Sequence, residues 1–109
     1  MAQFLYRLHP VRSGMLTEGP TEREADVIGA HFEYLSRLTE QGIVLMAGRT
    51  LTTDEATFGI VVFVARTEPE AEAIMNGDPA VRHGVMRAPW FPFRAAPRNR
   101  DGPPEALGT

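Results

Sequence analysis

The side chains available for chemistry in this chain are few, and their types narrow what it can do. The histidines are His9, His31 and His83, the serines are Ser13 and Ser36, and there is no cysteine and no lysine. Without cysteine, disulfides, thiol catalysis and thiolate-held zinc or iron–sulfur clusters are excluded. Without lysine, neither a Schiff base nor the lysine of a phosphate-binding P-loop can form. Neither serine sits in a Gly-x-Ser-x-Gly elbow, which argues against serine hydrolase chemistry. The glycines form no GxGxxG cradle, and the three histidines share no local metal-ligand spacing, so neither a cofactor nor a metal is expected.

His31 is the sharpest single residue. At 100° per residue it falls among Ile28, Phe32, Leu35 and Leu38, with Asp26, Glu33, Arg37 and Glu40 on the opposite side. An ionisable ring in an apolar stripe must either be hydrogen-bonded in the core or face a cavity, and the pattern leaves both readings open. Asp78 lies in Gly77-Asp78-Pro79, a turn that aspartate favours for local reasons alone. His9 precedes Pro10 at the end of a strand and could reach the same cleft, while Tyr6 and Trp90 could line a pocket or an interface. Arg82 and His83 read as a solvated loop, and Phe91 and Phe93 alternate so as to pack in the core on one sheet face.

The elements that must position these residues follow from period and punctuation. Residues 3–9 (QFLYRLH) read as a strand closed by Pro10, and residues 11–20 as a loop. Thr21-x-x-Glu24 is a capping box, with Glu22 and Glu24 at the positive end of the dipole, opening a helix that runs to Gly42. Residues 43–51 and 58–66 are strands joined by the polar connector 52–57, expected to be exposed. Thr67-Glu68-Pro69-Glu70 opens a second helix, with Ala71, Ile74 and Met75 facing inward, which Asp78-Pro79 ends. Residues 85–95 are the last strand, and Pro89 and Pro92 confine it to a sheet edge.

The order β-α-β-β-α-β predicts an α+β, ferredoxin-like split βαβ fold: a four-stranded antiparallel sheet with both helices on one face. Residues 60–65 (IVVFVA) are apolar at odd and even positions alike, so both sheet faces need cover and the helices supply only one. A homodimer packed sheet to sheet is therefore expected. Residues 1–95 read as one domain and residues 96–109 as a disordered tail without hydrophobic periodicity. The formal charge is −3 with no basic stripe, which argues against nucleic acid as a partner. At 43% hydrophobic and 23% charged, with no long apolar run and no leader pattern, the chain reads as a cytoplasmic protein with no membrane partner.

The segments Ala30-His31-Phe32-Glu33-Tyr34-Leu35 with Leu38, then Gly42 and Leu45-Met46-Ala47-Gly48, then Asp78-Pro79-Ala80-Val81 with Gly84-Val85, resemble the YCII-related domain family. The resemblance runs from the first strand to the last. It implies a dimeric ferredoxin-like assembly, similar to muconolactone isomerase, and an active-site His–Asp dyad carried by His31 and Asp78. Many members have Ala-Gly-Pro where this chain has Ala47-Gly48-Arg49, and an aromatic residue where it has Ala80. The Arg49 fork could bind a carboxylate or phenolate, or point to solvent. These readings lead to a small cofactorless enzyme, isomerase- or dehydrochlorinase-like, acting on a small cyclic or aromatic molecule. The alternative is a non-catalytic small-molecule-binding or accessory dimer module.

Overall fold

A computed structural model describes residues 1–97, so the tail expected from residue 96 lies almost wholly outside the described residues. Its elements are β1 (Ala2–Pro10), α1 (Gly14–Thr17), α2 (Glu22–Glu40), β2 (Val44–Arg49), β3 (Gly59–Ala65), α3 (Glu68–Gly77), α4 (Pro79–Arg82), β4 (Met86–Arg87) and β5 (Trp90–Phe93). The sheet runs β2-β3-β1-β4, with β5 also paired to β1 and every pairing antiparallel. β1 and β3 are thus central, the arrangement of a split βαβ sheet with its crossover helices on one face.

Alternation along β1 sets the two faces. Phe4, Tyr6 and Leu8 are buried under the helices, and their partners on β3, Val61 and Phe63, join them. Leu35 and Leu38 of α2, Val44 of β2, and Ala71 and Met75 of α3 complete this core. Gln3, Leu5, Arg7 and His9 take the outer face.

α2 starts where the capping box predicts. The Thr21 hydroxyl accepts from the Glu24 backbone N–H (3.1 Å), and Glu24 Oε1 accepts from the Thr21 N–H (2.8 Å). Glu24 is itself buried, and Arg12 binds its carboxylate with two donors, Nε at 3.0 Å and Nη2 at 2.7 Å. That guanidinium, helped by the Thr21 N–H, holds the Glu24 carboxyl down at about 2. The helix stops at Gly42, whose φ of 78° is left-handed.

Four expectations need correction. Phe32 is 71% exposed, because the buried residues of α2 are Glu24, Leu35 and Leu38, with His31 half-buried on the same side, and Phe32 lies one step beyond that line. Phe91 and Phe93 do share a face, but it is the outer one, and they are 46% and 41% exposed. Residues 11–20 are not all loop: α1 forms one turn there, burying Met15. The last strand is two pieces, because Pro89 has no donor and instead offers its carbonyl to the Arg7 N–H (2.9 Å). The 52–57 connector is exposed apart from Thr57, which is buried and hydrogen-bonded to Thr52, and Asp54 Oδ1 accepts from the Ala56 N–H (3.0 Å).

Candidate active site

Asp78 occupies the junction of two helices. It is the last cap of α3 and the first cap of α4, in extended backbone (φ −65°, ψ 122°). Pro79 fits because the first helical position has no partner for an N–H in any case. The Asp78 N–H donates to Met75 O (3.1 Å), and its carbonyl accepts from the N–H groups of Val81 (3.0 Å) and Arg82 (2.8 Å). Both ends of the residue are therefore fixed by helix geometry before its side chain makes any contact.

The side chain is fully buried and accepts three hydrogen bonds. Oδ1 accepts from the Ala80 N–H (3.0 Å) and from His31 Nδ1 (2.7 Å), and Oδ2 accepts from the Tyr6 hydroxyl (2.7 Å). Burying an ionised carboxylate is costly unless donors replace its water, and here three of them do so. The Tyr6 hydroxyl is a dependable donor: burial first, and then the Asp78 charge, push it well above the ordinary phenol range.

His31 connects this buried group to the surface. Its side chain is 13% exposed, against 0% for Asp78. When the Asp78 carboxylate is ionised it can only accept, and the 2.7 Å contact then requires a proton on Nδ1. Among the described residues, no hydrogen bond uses Nε2. The arrangement leaves one ring nitrogen tethered and the other without a partner among the described residues.

Tyr34 and Gly77 stand inside quoted motifs without a role of their own in the sequence, although Tyr34 lies one turn beyond His31 on the same side of α2. Its hydroxyl donates to Ile74 O (2.6 Å), pinning α2 to α3 just before Asp78. Burial, reinforced by the Asp78 charge, raises its pKa, while Arg37 opposes the shift. Gly77 permits this approach, since a Cβ there would lie 2.9 Å from the Tyr34 hydroxyl.

The other candidates are dispersed. Tyr6 joins the dyad, but as a buried donor to Asp78 rather than an open wall. Trp90, opposite Tyr6 in the register, packs on the core with its ring 5.9 Å from Phe4. His9 lies on the outer face against Phe58, away from His31. Arg49 is exposed at the end of β2, paired in register with Gly59. A surface hollow of about 540 Å³ is lined by residues that include Phe4, Thr67 and Phe93, and no dyad residue borders it. Among the described residues, no three His, Asp or Glu side chains cluster as a metal site requires, and no helix is long and apolar enough to cross a membrane.

No curated protein matches the sequence. Among solved structures, the chain is similar to 5-chloro-2-hydroxyhydroquinone dehydrochlorinase (TftG) from Burkholderia phenoliruptrix AC1100, determined in complex with 2,5-dihydroxybenzoquinone. The identity is 19% and the TM-score 0.62, over 85% of this chain and 95% of that one. A second similar structure is a point mutant of SnoaB, a cofactor-independent oxygenase from Streptomyces nogalater, at 8% identity and TM-score 0.46, over 91% of this chain and 96% of that one. The first of these likenesses supports the ferredoxin-like fold. The YCII-related domain pattern matches residues 7–94, a span that includes His31 and Asp78, and the chain belongs to that family.

Proposed function

We propose that the protein is a general acid/base catalyst acting on a small cyclic or aromatic molecule, with His31 as the proton-transferring group and Asp78 as its orienting partner. One observation carries this reading: a half-buried histidine has one ring nitrogen 2.7 Å from a fully buried carboxylate. Asp78 holds Nδ1 protonated, so Nε2 can take a proton from carbon or oxygen and return it. Tyr6 and the Ala80 N–H hold Asp78 in turn, so the base is aimed by three elements, β1, α2 and the α3–α4 junction. Proton transfer beside a carbonyl, isomerisation and loss of HCl all need only such a base. In the last case Nε2 takes the proton while the carbon–chlorine bond breaks and chloride leaves.

The protein is further proposed to be a homodimer. Leu5, Met46, Phe91 and Phe93 share the outer sheet face, where the described chain has no second layer to cover them. A two-fold pairing of such faces buries about 1,600 Å² if it is of standard size. Sedimentation at micromolar concentration should show a dimer, and a stable monomer would contradict this pairing.

The catalytic reading is tested with hydroxylated and chlorinated quinols, beginning with 5-chloro-2-hydroxyhydroquinone, by following chloride release and exchange of ring hydrogen for deuterium. His31→Gln should lower the rate roughly 10² to 10⁴-fold with ligand binding retained. Equal rates in the variant and the wild type would overturn the assignment, and binding without any turnover would point to the accessory module instead.

A further inference from the structure

The outer face of the sheet carries a second polar group that the dyad does not use. The five strands contain Arg7, Arg49, Arg87 and His9 but no aspartate or glutamate. Three of those four cationic or titratable residues gather at one end. Arg7 and His9 alternate onto the outer face of β1, and the β1–β4 register sets Arg87 opposite His9. The Arg7 guanidinium carbon stands 4.6 Å from the centre of the Phe58 ring, and the His9 ring lies 6.3 Å from the same ring. Arg7 Nε is buried and, among the described residues, has no hydrogen-bond partner. Arg7, His9 and Arg87 take part in none of the ion pairs among those residues.

A guanidinium clamped on an aromatic ring has lost water and rotamer freedom, and a buried N–H without an acceptor adds cost. A second arginine close by increases the repulsion. His9 feels the same surroundings: burial first, then Arg87 and Arg7, lower its pKa. Only an anion relieves all three groups together. The fork of Arg7 matches a planar carboxylate, with Arg87 and His9 as the further donors. We propose that Arg7, His9 and Arg87 form a binding site for a small organic carboxylate on the outer face of the sheet, separate from the dyad. The site lies beyond the apolar rows of Leu5, Phe91 and Phe93, at the end of that face.

The test uses benzoate as probe, with benzyl alcohol as its neutral counterpart, added at constant ionic strength while the ring signals of the three histidines are followed by NMR. Benzoate should shift His9 saturably and raise its pKa, benzyl alcohol should do neither, and His31→Gln should bind benzoate like the wild type. Arg7→Met and, at an exposed position, Arg87→Gln should each raise the benzoate midpoint about tenfold or more. Any of three results would overturn the proposal: no saturable shift of His9, an unchanged midpoint in both arginine variants, or saturation seen at His31 and not at His9. Loss of the dimer in Arg7→Met with no benzoate effect in the wild type would also overturn it, because the acceptor would then be a carboxylate of a second copy.

Discussion

Tyr6 and Arg7 are neighbours on β1, yet they face opposite sides of the sheet and meet opposite electrostatic conditions. On the inner face the Tyr6 hydroxyl meets a carboxylate that is fully buried and triply hydrogen-bonded. On the outer face Arg7 stacks on an aromatic ring, with an N–H left over and Arg87 set opposite its strand neighbour His9. The first polar group is complete within one chain. The second is stabilised only when something outside the described residues supplies negative charge. A satisfied network contributes to the fold, whereas an unsatisfied one is expected to respond to a ligand.

The largest effect on stability that separates the two faces should come from Asp78→Ala. It leaves Tyr6, His31 and the Ala80 N–H without their acceptor and should cost about 3 kcal/mol in urea unfolding. Tyr6→Phe removes one of the three donors and should cost about 1–2 kcal/mol. Gly77→Ala should cost about 1 kcal/mol, because the new methyl displaces the Tyr34 hydroxyl from Ile74. On the outer face, Arg7→Met should stay within about 1 kcal/mol of the wild type in the absence of carboxylate, since only its stacking on Phe58 is lost. A loss as large as that of Asp78→Ala would remove the contrast between the faces.

The other buried carboxylate sharpens the comparison through pH. Glu24 is held by a guanidinium, and its folded value of about 2 lies below the unfolded value. Its contribution is therefore fully present above the unfolded glutamate value, roughly 4.3, and is lost as pH falls through the folded value. Wild-type stability should drop across that window, and Glu24→Gln should flatten this part of the profile. An unchanged profile in the variant would show that the Arg12–Glu24 pair is not coupled to folding. The smallest effect should be that of replacing Asp54 and Glu55 together by alanine. Both residues are exposed in the connector, and the change should stay within about 0.5 kcal/mol.

Local features of the fold were legible in the sequence because their causes are local. Thr21 and Glu24 cap each other across three residues, and the β2–β3 hairpin spans a short connector. At the start of α3 the same Thr-x-x-Glu spacing caps only in part. Thr67 accepts from the Glu70 N–H, but the Glu70 side chain turns to Arg66. Helical periodicity could place His31 on the apolar side but could not rank Phe32 against it, because the two are only 100° apart and the packing partner decides. The Tyr6 contact spans 72 positions and Tyr34 to Ile74 spans 40, so neither leaves a local trace. Pairing His31 with Asp78, 47 positions apart, came from the family resemblance, because periodicity alone left the role of each residue open.

The central claim is that Asp78 fixes the proton of His31 on Nδ1 and frees Nε2. Ring nitrogen-15 NMR of His31, at a pH where the ring is neutral, reads that tautomer directly. The account predicts a protonated Nδ1 and an unprotonated Nε2 in the wild type, with the preference lost or reversed in Asp78→Asn. Identical nitrogen spectra for His31 in the two proteins would contradict it.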